Sequence, residues 1–97
     1  MYFIILCTDK PESGDVRAAN RDAHIAYLKA HADDIRLGGA TPNPDGDGVS
    51  GSFLLIEAAS YDDAKAWAAG DPFAKAGLFR DVEVRPWNFG IGSGLSK

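Results

Sequence analysis

The sequence is poor in cysteine, in basic residues and in long hydrophobic runs, and each shortage excludes a class of protein. A single cysteine, Cys7, among 97 residues cannot form an internal disulfide or a zinc-type cluster, which fits a reducing cytoplasm. Lys and Arg number 10 against 14 Asp and Glu, and they are scattered, so the net charge of −4 disfavours a nucleic-acid or anionic-membrane surface. The apolar run Met1–Cys7 is far shorter than the roughly 20 residues of a spanning helix and has no basic residue before it. We therefore expect a soluble cytoplasmic protein that binds neither nucleic acid nor membrane.

The composition that remains is sufficient for one small hydrophobic core. With 45% hydrophobic and 10% aromatic residues, the chain is predicted to form a single domain over residues 1–97, in which the Gly/Ser-rich segment 90–97 is a flexible tail. A domain of this size buries a low fraction of its surface, so self-association would usefully cover a remaining apolar face.

The first half of the chain predicts a strand, a long helix and two further strands. Tyr2–Cys7 has no polar alternation, which favours a strand buried on both faces. From Asp15, a predicted N-cap, to about Ile35, residues recur at the spacing of a helix of roughly six turns that Gly38-Gly39 would end. The residues of this stripe are Val16, Ala19, Ala23, Tyr27, His31 and Ile35. Residues 39–42 predict a weak strand and 51–58 a strong one, joined by a loop rich in Pro, Asp and Gly.

The second half predicts a short helix and a last strand. Ser60 begins a capping sequence, and the helix that follows ends at Gly70. Residues 72–77 can form one further turn, and residues 82–87 alternate in the manner of a strand. The order strand, helix, strand, strand, helix, strand is the α+β ferredoxin-like arrangement, an antiparallel sheet with two helices on one face.

The sheet face opposite the helices predicts a partner. Because the first and third strands are apolar on both sides, this face is expected to pack against the same face of a second copy. We therefore predict a homodimer, to which the aromatic segment Trp87-Asn88-Phe89 contributes.

Two residues that lie far apart in the sequence are the candidates for chemistry, although each has an ordinary structural explanation. His24 interrupts the apolar stripe of the first helix, where a buried imidazole could simply donate to a carbonyl group. Asp71 precedes Pro72, and Asp-Pro is a favourable start for a short helix. If the fold brings His24 and Asp71 together, they form an imidazole–carboxylate pair that can transfer protons.

Short motifs along almost the whole chain carry a family resemblance. They are Met1-Tyr2-Phe3-Ile4-Ile5, Asp9-Lys10-Pro11, Arg21-x-Ala23-His24 with Tyr27-Leu28, Gly39, Gly51-Ser52, Ala64-x-Ala66-Trp67, Asp71-Pro72-Phe73 with Ala76-Gly77-Leu78, and Val82-x-Val84-x-Pro86-Trp87. In this order and spacing they resemble the YciI-like, or YCII-related, family. The resemblance implies a ferredoxin-like domain that dimerises as dimeric α/β barrels do. It also implies that His24 and Asp71 are the catalytic pair, and it offers a dehydrochlorinase of a chlorinated hydroxyquinol as a chemical precedent.

The chemistry of such a pair suits a simple proton transfer. A carboxylate bound to one imidazole nitrogen sets the tautomer, and the other nitrogen can then accept or donate a proton. General acid–base help of this kind is typically worth about 10²–10⁴ in rate, which favours lyase- or isomerase-like chemistry over a demanding hydrolysis. Arg21, three residues before His24, could hold an anionic substrate group, or it could be a solvated arginine paired with Asp or Glu. No metal or organic cofactor is expected.

A different class of function is also compatible with the sequence: a noncatalytic dimeric module that binds a small molecule, in which His24 and Asp71 form only a structural hydrogen bond. Two metal sites are disfavoured. His31 could be paired with Asp34, but it lies about 10 Å along the helix axis from His24. Residues 43–48 match the first half of a calcium loop, but the twelfth position is Leu54 and no helices flank it.

Overall fold

Four antiparallel strands form one sheet, and the helices lie against one of its faces. The computed structural model describes residues 1–94. In chain order the elements are β1 (Tyr2–Asp9), α1 (Gly14–Ala30), a 3-10 turn (Ala32–Asp34), β2 (Ile35–Pro42), β3 (Val49–Glu57), α2 (Tyr61–Ala69), α3 (Pro72–Lys75) and β4 (Phe79–Trp87). The strand order is β2-β3-β1-β4, and all neighbours are antiparallel. The predicted ferredoxin-like fold is confirmed.

The most apolar strand of the sequence lies in the middle of the sheet. β1 pairs with β3 on one side and β4 on the other, so that Ile5 lies opposite both Leu54 and Val84. Its alternate residues Phe3, Ile5 and Cys7 point toward the helices and are buried. β1 is thus the central strand, and its outward residues Ile4 and Leu6 are apolar as well, which is the lack of polar alternation noted in Tyr2–Cys7.

The core lies between the inner sheet face and α2. Leu54 and Ile56 of β3 join the buried side chains of β1, and α2 covers them with Ala64 and Ala68, which are 0% and 7% exposed. The small alanine side chains let the helix backbone approach the sheet closely. Ser60 caps this helix as predicted, because its side chain accepts a hydrogen bond from the Asp63 N–H.

The outer face of the sheet is apolar and only partly covered. Leu6 and Leu37 are 41% and 40% exposed. Tyr2 packs edge-on against Trp87, whose ring in turn contacts that of Phe89. This is the face through which the sequence predicts a dimer, and the dimer stays a prediction.

The first helix is shorter than its periodicity predicts, and its buried side differs. The N-cap of α1 is Ser13 rather than the predicted Asp15, which lies inside the first turn. The helix ends at Ala30, because the β-branched Ile35 already pairs with Ile56 as the first residue of β2. Gly38 and Gly39 lie inside β2 rather than ending the helix. Of the predicted stripe, Ala19 and Ala23 are exposed. The helix has no fully buried residue, because a groove separates part of it from the sheet.

The end of the chain adds no regular element within the described residues. The predicted flexible tail, 90–97, lies partly outside them, and residues 90–94 contain no helix or strand. None of the helices in residues 1–94 has the length and apolar character needed to cross a membrane.

Candidate functional site

The fold brings together the two residues that the sequence singles out. His24 Nδ1 lies 2.8 Å from Asp71 Oδ1, although the two residues are 47 positions apart. Asp71 is the N-cap of α3, and the same Oδ1 accepts the Phe73 N–H at 2.9 Å. Because this oxygen acts as an acceptor toward the amide, we assign the ring N–H to Nδ1 of His24, which leaves Nε2 as the acceptor of a neutral imidazole.

The His24–Asp71 pair packs against an aromatic ring and is largely withdrawn from water. The two side chains are 13% and 4% exposed. The imidazole stacks on the ring of Phe73, with centroids 4.0 Å apart and an interplanar angle of 12°. Phe73 is itself 1% exposed and stands in the single turn that Asp71 caps, so one short segment supplies both the carboxylate and the stacking surface.

A groove of about 730 Å³ runs between α1 and the β2–β3 half of the sheet, and His24 lines it. Its volume is within the range of small-molecule sites. The groove is wide because β2 contributes the small residues Gly38, Gly39 and Ala40 to its lining, with Ile35 as the one larger side chain. Among the described residues, Nε2 of His24 makes no hydrogen bond, so this nitrogen is available to a molecule in the groove.

A second polar cluster, which the sequence analysis missed, lies in the same groove. Arg17 binds Asp9 through two hydrogen bonds, Nε to Oδ2 at 2.9 Å and Nη2 to Oδ1 at 3.0 Å, and Nη2 also lies 3.3 Å from Ser52 Oγ. The guanidinium carbon is 4.8 Å from the centroid of the Phe73 ring. Arg17 precedes His24 by two helical turns, a spacing that could have identified it, whereas Asp9 and Ser52 reach it only through tertiary contacts.

The groove carries positive charge although the whole protein is acidic. Arg21 and Lys29 line it as unpaired cations and Arg17 as a cation paired with Asp9, and no carboxylate of the described residues is in its lining. Arg21 is exposed and forms no ion pair with the described residues. An anionic or oxygen-rich ligand therefore suits the charge of the groove.

Burial shifts the acidity of two groups around the site. Desolvation, with smaller contributions from Asp71 and Asp9, raises the pKa of the Cys7 thiol from 9.0 to about 12. Cys7 is therefore a neutral core residue and a poor nucleophile. Burial and then the Asp71 charge also raise the pKa of Tyr27, whose hydroxyl donates to the Trp67 carbonyl at 2.7 Å.

His31 takes no part in the site. Its ring lies 4.4 Å from that of Tyr27 and 5.8 Å from that of Trp67, in an aromatic cluster between α1 and α2. In the part of the chain that the structure describes, no three His, Cys, Asp or Glu side chains are grouped to hold a metal ion.

Fold and site together define a ferredoxin-like α+β domain with a histidine–aspartate pair at the side of a groove. The profile of the YCII-related domain matches residues 1–88, and the chain belongs to the YCII-related family. An uncharacterized protein of Haemophilus influenzae is 37% identical over 94 residues, covering 90% of this chain and 96% of that protein. Protein YciI of Escherichia coli is 36% identical with the same coverage.

One solved structure combines close similarity with a described activity. It is the 5-chloro-2-hydroxyhydroquinone dehydrochlorinase (TftG) of Burkholderia phenoliruptrix AC1100, in complex with 2,5-dihydroxybenzoquinone. It is 40% identical to this chain, superposes with a TM-score of 0.85, and the match covers 93% of this chain and 96% of that one.

Proposed function

We propose that the protein is a small acid–base enzyme in which His24 Nε2 accepts or donates the transferred proton and Asp71 orients the imidazole. The observation that carries this proposal is the geometry of one histidine. Its Nδ1 is bound to a buried carboxylate at 2.8 Å, while its Nε2 has no hydrogen-bond partner within residues 1–94 and the residue lines a groove of about 730 Å³. A histidine held by a carboxylate and open to a cavity on its other nitrogen is the usual arrangement of a general base.

The proposed reaction class is one that a single acid–base pair can catalyse. The proposed step is removal of a proton from a carbon that a neighbouring carbonyl or phenol makes acidic. The proton moves to Nε2, and the C–H electron pair forms a double bond as a leaving group such as chloride departs with its own electrons. Alternatively, no group leaves: His24 returns the proton from Nε2 to a different atom of the substrate, and the displaced electron pair forms the new bond to that proton. This is an isomerisation. Acid–base help worth about 10²–10⁴ in rate is sufficient for such substrates.

The substrate class is a small hydroxylated ring or a related acid. The groove is apolar along Ile25, Leu28 and Leu54 and positive at its Arg21 and Lys29 rim, which suits a flat compound with ionised oxygens. Arg21 would bind such an anionic group. The dehydrochlorinase with 40% identity supports this choice, because its substrate is a chlorinated and hydroxylated ring.

The test is turnover of 5-chloro-2-hydroxyhydroquinone under anaerobic conditions, followed by chloride release and by the absorbance of the quinone product. We expect His24→Ala to lower kcat about 100-fold or more, within the range of general acid–base catalysis. Asp71→Asn should give an intermediate loss. The matched control is His31→Ala, which removes the second histidine of the same chain outside the groove and should leave kcat unchanged.

Two results would contradict the proposal. Equal rates for wild type, His24→Ala and Asp71→Asn would show that the pair is not catalytic. Absence of turnover for this substrate and for a panel of chlorinated phenols and enol-lactones would favour the noncatalytic alternative, a dimeric module that binds a small molecule. That alternative has one observation in its favour, since Asp71 also serves as the N-cap of α3.

A further inference from the structure

The groove beside His24 is longer than a single aromatic ring needs. Its lining on α1 extends from Arg17 to Lys29, two residues that are about 18 Å apart along the helix axis. Small-molecule sites range from about 300 to 1,000 Å³, and a single substituted ring belongs at the low end of that range. The groove measures about 730 Å³. A ring placed at His24 therefore leaves a large part of the groove unfilled.

The part of the groove that extends from His24 toward the end of α1, which we call the apolar half, has a different chemistry from the rest. Its lining residues are Ile25, Leu28, Ala32, Ile35 and Leu54. Lys29 is the one charged side chain of the described residues that lines the groove beyond His24 in this direction, and it is exposed. Arg17 precedes His24 on α1 and contacts Ser52, so these polar groups lie toward the opposite end. A ligand that fills the whole groove is therefore polar at one end and apolar at the other.

The apolar half exposes hydrophobic surface that the described chain does not cover. Leu28 and Ile35 are half-buried, because they pack against the core on one side and line the groove on the other. Gly38 has no side chain to fill the space beside Leu54, where a Cβ would lie 2.9 Å from Leu54 Cδ2. Apolar surface that adjoins a polar site inside a concave groove is typical of ligand binding.

We propose that the apolar half binds a hydrocarbon tail carried by the hydroxylated ring of the substrate. The inference rests on the proposed function, which places the ring at His24, and it adds the substituent that the ring bears.

The geometry of α1 sets the length of the tail. Ala30, the last residue of α1, is about 9 Å from His24 along the helix axis. An extended chain advances roughly 1.3 Å per bond, since three backbone bonds span about 3.8 Å. A tail of about seven carbon atoms therefore reaches the far end of the groove, where Ala32 and Ile35 lie, and a longer tail extends into water.

The test measures binding as a function of tail length. The probes are 2,5-dihydroxybenzoquinones that carry a methyl, propyl, heptyl or undecyl group on one ring carbon. Each is titrated into the full chain below its aggregation concentration and followed by the absorbance of the ring. A fully buried CH₂ raises affinity about fourfold, and in a groove open on one side we expect about twofold. The heptyl probe should therefore bind about 50-fold more tightly than the methyl probe, and the undecyl probe at most about twofold more tightly than the heptyl probe.

Two matched alanines at the end of α1 localise the tail. Ala32 is exposed in the 3-10 turn and lines the groove, so Ala32→Trp fills the far end without disturbing the core. In this variant the gain in affinity should stop at the propyl probe. Ala30 is also exposed but does not line the groove, so Ala30→Trp should keep the wild-type dependence on tail length. Ile25→Asn, which places an amide in the apolar half, is a second variant that should reduce the gain per CH₂. Melting curves report whether each variant is folded.

The outcomes separate this inference from the proposed function. A gain that levels off near the heptyl probe and stops earlier in Ala32→Trp supports the tail-binding site. Equal Kd values for the methyl and heptyl probes, or no binding of any probe by the wild type, would overturn it. A gain that continues to the undecyl probe and is the same in Ala32→Trp would also overturn it, because it would report nonspecific adsorption. Unchanged turnover in His24→Ala would end the proposed catalytic role alone, since the dependence of Kd on tail length is measured without turnover.

Discussion

Removal of Asp71 should destabilise the fold in a way that depends on which substitute is used. The Oδ1 atom accepts both the Phe73 N–H at 2.9 Å and the His24 Nδ1–H at 2.8 Å, and the residue is 3% exposed. Asp71→Ala leaves two donors without an acceptor, at about 1–3 kcal/mol each when buried. His24 keeps some access to water, so we expect a total loss of about 2–4 kcal/mol. Native domains are stable by only about 5–15 kcal/mol, so this loss is readily measured.

Asp71→Asn should cost much less, because Asn is as good an N-cap as Asp and retains an oxygen at the same place. We expect a loss of about 1 kcal/mol or less, mainly from the weaker hydrogen bond to His24. A double-mutant cycle of Asp71→Ala with His24→Ala should give a coupling energy of about 1–2 kcal/mol, as for hydrogen-bonded neighbours.

The assay is urea unfolding at neutral pH, followed by far-UV circular dichroism, with the m value checked for constancy. Asp22→Ala on the exposed side of α1 serves as the control and should change stability by no more than about 0.5 kcal/mol. Equal losses for Asp71→Ala and Asp71→Asn, or a coupling energy near zero, would refute the reasoning.

Three further predictions concern the core, the sheet and its outer face. The Cys7 pKa is about 12 in the fold against 9.0 otherwise, so stability present below pH 9 is lost as pH rises toward 12. Between pH 8 and pH 10 the wild type should lose roughly 1 kcal/mol more than Cys7→Ala in urea unfolding. Gly51→Ala should cost more than about 3 kcal/mol or prevent folding, because its Cβ would lie 1.8 Å from the Cys7 carbonyl oxygen, whereas Gly39→Ala, with open space, should be harmless. Leu6→Lys should convert the expected dimer to a monomer in light scattering, while Val82→Lys, similarly exposed on the inner face, should not.

Each of these three has a result that would contradict it. Parallel pH dependence of wild type and Cys7→Ala would show that the thiol ionises normally in the fold. A stable Gly51→Ala variant would mean that β1 and β3 can separate at low cost. A monomeric wild type would remove the predicted dimer, and the outer apolar face would then need another explanation.

The element types could be predicted from local patterns, but several boundaries could not. Helical periodicity continued past the true end of α1, because Ile35 fits a helix stripe as well as it fits the start of a strand. Only pairing with Ile56 decides between them. Gly38 has the composition of a helix stop, yet it lies in β2, where its Cβ would come 2.9 Å from Leu54 Cδ2 and where its small size widens the groove floor.

The candidate site shows the same division. His24 was notable because it interrupts an apolar stripe, and Asp71 because it precedes proline at a helix start. Arg17 shares the His24 face of α1 but was overlooked, since an arginine on an amphipathic helix usually faces water. Asp9 and Ser52 belong to motifs of the family resemblance, but nothing local assigned them to the site, because they meet Arg17 only through contacts across 8 and 35 positions of the chain.

The sequence by itself therefore determined the fold class, the family and the two residues most suited to proton transfer. Hydrophobic spacing and helix caps are local properties, and short motifs in a fixed order identify a family without any coordinates. The tertiary structure decided that His24 and Asp71 meet, and that His24, Arg17 and Ser52 line the same groove. These facts depend on which strands pair and on where α1 leaves the sheet. Such long-range geometry is set by packing of the whole chain and not by the residues adjacent to each site.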